Sequence, residues 1–164
     1  MSQGAVIDGL EFARAGATLA GALELEDLPR LSELDCSAAQ IRYVIRGGAT
    51  AQGKPALHVE ASGTLELVCQ RCLGTVAVPV ALRTELELAE SQQALDAATD
   101  DVDRVLAARS MDVAALVEDE VILVLPMVPK HVQCPSQAKD SNSVGERVSP
   151  FAALAALRTD RTKS

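Results

Sequence analysis

Two matched runs of alternating residues constrain this chain more than anything else in it. Between Leu57 and Cys69, the residues Leu57, Val59, Ala61, Leu65, Leu67 and Cys69 fall on one side of an extended backbone, and His58, Glu60, Ser62, Thr64 and Glu66 fall on the other. Between Val76 and Leu88, the residues Val76, Val78, Val80, Leu82, Leu86 and Leu88 face one way, with Arg83, Glu85 and Glu87 opposite. Successive side chains point to opposite faces of a strand, so each run predicts a sheet with one dry face and one wet face. The short connection from Gln70 to Thr75, with Gly74 in it, predicts an antiparallel hairpin. Pro79 has no backbone donor and predicts an edge strand or a bulge.

The N-terminal part alternates too. Leu19, Gly21, Leu23 and Leu25 interleave with Ala20, Ala22, Glu24 and Glu26, and Ile41, Tyr43 and Ile45 interleave with Gln40, Arg42 and Arg46, where Gly47-Gly48 is expected to end the strand. Ser91 to Asp103 is polar and acidic and reads as a mobile loop, and Val105 to Ala108 reads as a short added strand. Asp112 reads as a helix N-cap, since its carboxylate can accept from an orphan N–H of the first turn. Val113, Leu116, Val117, Val121 and Val124 follow at helical spacing, and Pro126 stops the helix after Leu125. Gln133 to Val148 has the composition of a flexible segment. Ser149 and Pro150 then open a short helix with Phe151, Leu154, Ala155 and Leu157 on one side. The expected organisation is one α+β domain over residues 1–130 and a mostly flexible tail over 131–164, with a terminal helix over 150–158. The sheet is expected to be curved, antiparallel or a partial barrel, and packed against one main helix.

The chain has 164 residues, enough for one domain with a useful core. Its net charge of −8 lacks the basic footprint of a nucleic-acid binder. Seven acids and no base lie between Glu85 and Asp103, whereas six Lys or Arg face three acids from Lys130 onward. No basic stretch followed by an apolar run opens the sequence, and no apolar run, Val121 to Leu125 included, is long enough to span a bilayer. The expectation is a cytoplasmic protein, in which cysteines stay as thiols or bind metal.

Cys69 and Cys72 can supply two corners of a tetrahedron from one tight turn, and His131 and Cys134 have suitable spacing to supply the other two. These four form a candidate Cys3His zinc site. The plainer alternative, which the long gap between the pairs favours, is reduced metal-free thiols with Cys69 filling the apolar face. A redox pair fits less well, because a thioredoxin-like motif sits between a strand and a helix. Cys36 reads as buried filler, and His58 as a surface residue. Glu118, Asp119 and Glu120 point in three directions, about 100° apart on a helix, and cannot converge on one ligand. Glu120 falls nearest the apolar side and needs a partner, and the others read as solvated. No nucleophile set and no phosphate-binding glycine loop is present, so an enzyme is not expected. Arg71, between the two cysteines, and Arg158, Arg161 and Lys163 in the tail are the candidate contacts to RNA or to an acidic partner. Their plainer roles are a solubilising turn residue and cations at a helix C-terminus.

Three segments together resemble the YceD family of bacterial proteins. They are Val68-Cys69-Gln70-Arg71-Cys72-Leu73-Gly74, Leu116 to Pro129 with its Glu118-Asp119-Glu120 and Pro126-x-x-Pro129, and Ser149 to Leu157. The resemblance covers most of the chain. It implies a role in the accumulation of large-subunit (23S) ribosomal RNA, through its synthesis, processing or stability, and implies no catalytic residue. Many relatives carry more cysteines in the segment corresponding to Lys130–Pro135, where this chain has only His131 and Cys134. The expected function is a non-enzymatic ribosome-biogenesis factor that protects or chaperones large-subunit RNA, or a basic ribosomal protein bound for it, the second of which the acidic stretch would attract. The alternative is direct RNA binding through a small zinc-stabilised basic site.

Overall fold

The structure is a computed structural model that describes residues 4–96 and 102–134. In chain order the elements are β1 (Val6–Ile7), α1 (Gly9–Arg14), β2 (Thr18–Glu24), a 3-10 turn (Leu25–Asp27), α2 (Pro29–Glu33), β3 (Ala38–Ala49), β4 (Pro55–Val68), β5 (Thr75–Ala89), α3 (Gln92–Asp96), β6 (Arg104–Leu106), β7 (Met111–Asp112) and α4 (Val113–Val124). The expected terminal helix over 150–158, with Arg158, Arg161 and Lys163, lies outside the described residues, as does most of the stretch from Gln133 to Val148.

The fold is α+β, as expected, and its sheet is open. Five strands run in the order β2-β3-β4-β5-β6, and β1 pairs separately with β7. The β2, β3, β4 and β5 pairings are antiparallel. The added strand near Val105 exists, but it joins β5 in parallel through Glu87–Arg104, Leu88–Val105 and Ala89–Leu106. That pairing stops well short of Pro79, so the proline sits where β5 is an edge. The long hairpin has the predicted faces. Val59, Leu65 and Cys69 are fully buried on the inner face together with Ile41 and Ile45 of β3.

Two expectations change. Gly47-Gly48 does not end β3, which runs on to Ala49. The reason is α1, whose backbone lies on Gly47. A Cβ there would stand 2.1 Å from the Phe12 carbonyl oxygen. The residues after Ser91 also do not form a plain loop, because Gln92–Asp96 turns into α3. There Ser91 Oγ accepts from the Ala94 N–H at 3.1 Å, the kind of cap that serine provides.

Helix α4 begins as predicted. Asp112 accepts from the N–H groups of Ala114 and Ala115. Its acids are placed differently, for Glu118 is as buried as any core leucine. Glu118 Oε2 accepts from Arg30 Nε at 3.0 Å and Oε1 from the Leu31 N–H at 3.0 Å, while Arg30 also pairs with Asp119 and donates to the Ala115 carbonyl at 3.1 Å. Helix α2 therefore makes a second packed side for α4, which the helical pattern of α4 alone does not reveal. A buried carboxylate of this kind is tolerated because it is both paired and hydrogen-bonded. Turning Glu118 inward leaves Leu123 and Val124 exposed at 77% and 48%.

Glu120 is also buried, on the side facing β5. Burial pushes its carboxyl pKa up against a hydrogen bond from Thr84, and the nearby Asp103 and Asp119 push in the same direction. A raised folded-state pKa means that the folded protein holds the Glu120 proton more tightly than the unfolded chain. Glu120 therefore favours folding most at low pH, and that contribution is lost as pH rises through the folded pKa. Glu120→Gln is expected to melt above the wild type at pH 7, with the gap closing as pH falls toward 4.5. Thermal denaturation across that range checks the sign, and a gap that widens on acidification contradicts this placement.

Candidate metal centre

The tip of the β4–β5 hairpin is a six-residue turn, Cys69–Gly74, between Val68 and its partner Thr75. Within it the Leu73 N–H donates to the Cys69 carbonyl, and the Cys69 N–H to that of Gly74, both at 2.8 Å. The residue in the left-handed region is Leu73, at φ 60°, rather than the glycine. This tight turn points Cys69 inward, where it is fully buried, and leaves Cys72 half-buried.

The other half of the site arrives from the end of α4. Leu125 leaves the helix in an extended conformation, as the residue before a proline does. The Pro126–Pro129 segment then meets the hairpin tip, where the Gln70 N–H donates to the Pro129 carbonyl at 2.9 Å. That bond starts the docking that brings His131 and Cys134 to the first cysteine pair. Their sequence separation made the pairing ambiguous, and the Pro126–Pro129 segment, which bends at Met127 and Val128, resolves it.

Cys69 Sγ lies 3.7 Å from Cys134 Sγ, and Cys72 Sγ lies 3.4 Å from His131 Nδ1. All four ligand atoms lie within 4.8 Å of one another. A tetrahedral ion with bonds of about 2.3 Å to sulfur and 2.0–2.1 Å to nitrogen spaces its ligands about 3.8 Å apart for two sulfurs and about 3.6 Å for sulfur and nitrogen. The side chains already stand near those separations. His131 Nε2 lies 2.9 Å from the Thr75 carbonyl. A carbonyl can only accept, so that nitrogen carries the proton and Nδ1 turns a lone pair toward the cysteines. The donor set and its geometry can hold a metal ion.

The electrostatics suit the same purpose. Burial works to raise the Cys69 thiol, but N–H groups of Cys72, Arg71 and His131 outweigh it and bring its pKa down to about 5. Cys72 moves the other way. The Gly74 N–H lowers its pKa, and burial with the neighbouring Cys134 and Cys69 sulfurs more than offsets that. One cysteine is thus poised as a thiolate while the next awaits a counter-charge.

Arg71 is not a free cation at the tip. Its Nε donates to Cys134 Sγ at 2.9 Å and its terminal nitrogen to the His131 carbonyl at 3.0 Å. Nothing in the local sequence signals this, because its targets lie about sixty residues away. Cys36 is buried and donates to the Ala38 carbonyl at 3.2 Å, away from the cluster. His58 is a surface residue beside Glu85, at 3.3 Å. Among the described residues no helix is long and apolar enough to cross a membrane.

No curated protein and no solved structure matches this chain. A family model matches residues 57–158, which takes in the hairpin, α4 and all four cluster residues. That span is more than half of the sequence, and the chain belongs to the family described as "Large ribosomal RNA subunit accumulation protein YceD".

Proposed function

We propose that this protein is a non-enzymatic ribosome-biogenesis factor, acting in the cytoplasm to support the synthesis, processing or stability of 23S ribosomal RNA. The observation that carries the reading is the family match over residues 57–158. Zinc is the ion that the cluster suits best, because three thiolates and an imidazole in a closed tetrahedron form the usual structural zinc site. Such a centre keeps no open position for substrate, and its work is to hold the hairpin tip to the segment after α4.

The partner we favour is a basic large-subunit ribosomal protein. Glu90, Asp96 and Asp103 remain exposed in the acidic region, while Glu87 is withdrawn into pairs with Lys54 and Arg104. Acids displayed in this way attract and shield a basic chain. Direct RNA contact through Arg71 has less support, because its guanidinium is engaged by Cys134 and His131.

The test is affinity purification of the tagged protein from its own cells, with and without RNase. A basic large-subunit protein retained after RNase is the expected result. Precursor RNA held directly, with every protein lost on RNase treatment, would move the assignment to RNA binding. Recovery of neither would leave the chaperone reading without support.

A further inference from the structure

Arg71 stands inside the Cys69-x-x-Cys72 turn, yet every hydrogen bond its side chain makes goes to the other half of the cluster. Its Nε reaches Cys134 Sγ at 2.9 Å, and its terminal nitrogen reaches the carbonyls of His131 at 3.0 Å and Val132 at 3.5 Å. One side chain thus holds a ligand sulfur and the backbone that carries both distal ligands. Lysine does not replace this arrangement. A guanidinium presents its donors in a fixed planar fork, whereas an ammonium is a single point.

The charges add a second reason. A divalent ion with three thiolates and a neutral imidazole carries one net negative charge. The arginine in contact with Cys134 cancels it, and does so beside the fully buried Cys69. An uncompensated charge there would weaken the centre, since burial penalises it. Thiolate ligands also depend on donors around them for orientation.

We propose that Arg71 is an outer-sphere positioning residue of the metal centre, clamping Cys134 and the His131–Val132 backbone and neutralising the loaded site. This rests on the zinc reading above, and it gives the residue a task other than partner contact. The full-length Arg71→Gln variant keeps a polar side chain of moderate length but lacks the fork and the charge. Arg71→Lys keeps only the charge. Zinc affinity is measured by competition with a chromogenic chelator, and cobalt(II) substitution reports the thiolates through their charge-transfer band.

Arg71→Gln is expected to bind zinc about 10- to 100-fold more weakly than the wild type. Its cobalt band should shrink toward two thiolates, with Arg71→Lys intermediate. A melting curve at saturating zinc shows whether each variant is folded. Wild-type zinc binding with Arg71→Gln within about threefold, and an unchanged cobalt spectrum, overturns the clamp and leaves the metal site standing. A wild type that binds neither zinc nor cobalt overturns the metal site, and the clamp with it.

Discussion

Serine in place of Cys69 or Cys134 is expected to cut bound zinc from one ion per chain to less than about a tenth, and to lower the melting temperature by about 10 °C. The first figure follows from the closed ligand set. Each cysteine is one of four corners, and a serine hydroxyl at neutral pH is a poor ligand for an ion that prefers thiolate. The second follows from topology. A bound ion would tie Cys72 to His131 across 59 residues, and a cross-link over a loop of that length removes much unfolded-state freedom. The two variants separate packing from ligation. Cys69 is wholly buried whereas Cys134 is only half-buried, so a loss due to packing alone would spare Cys134→Ser. Elemental analysis of protein purified without a histidine tag, with thermal melts before and after chelation, reads both effects. A wild type with no bound metal and a melt unmoved by chelator would return the three cysteines to ordinary reduced thiols beside an ordinary histidine.

Gly63→Ala is expected to cost about 3–5 kcal/mol, enough to make much of the expressed protein insoluble. Gly63 lies in the middle of β4 opposite Ile41, a place where glycine is otherwise a liability. A Cβ there would stand 2.0 Å from the Gln40 carbonyl oxygen and 2.9 Å from Ile41 Cα. Both are backbone atoms of a central strand, with no flexible end to swing aside. The methyl would have to separate β3 from β4 at that point. Gly53→Ala is the control. Gly53 has φ 79° and open space around it, so its cost is backbone strain of about 1 kcal/mol. Melting temperatures of the two variants measure the contrast. A Gly63→Ala protein within about 2 °C of the wild type would show that the strands do not approach so closely.

The elements that could be read from the sequence are those whose pattern is long. The alternation across β4 and β5 repeats often enough to set face and register, and Asp112 marks the start of α4 by its own chemistry. The short elements are harder. α1 has six residues and no room for a helical period. Its mark was Asp8 with Glu11 three positions on, and Asp8 does accept from the Glu11 N–H at 3.0 Å. α2 hides behind Pro29, which reads as a breaker but here stands at the first helical turn. Missing α2 meant missing Arg30, and hence the buried place of Glu118. The metal cluster was legible as two pairs of ligands, because local spacing is a property of a few residues. That the pairs meet depends on the path of Pro126–Pro129, and that Arg71 folds onto Cys134 depends on the pairs having met.

The order of ligands along the chain has a consequence during synthesis. Cys69 and Cys72 emerge first, and His131 follows Cys72 by 59 residues. At about 5–20 residues per second, that interval is roughly 3–12 s. In the part of it between the end of β5 at Ala89 and the start of α4 at Val113 the hairpin can form with its inner strand faces uncovered, and until His131 is made its tip carries a bare dithiol. The second pair of candidate ligands is therefore among the last parts of the described chain to be made, and a nascent protein arrested before His131 would have its sheet and α4 but only half of the cluster.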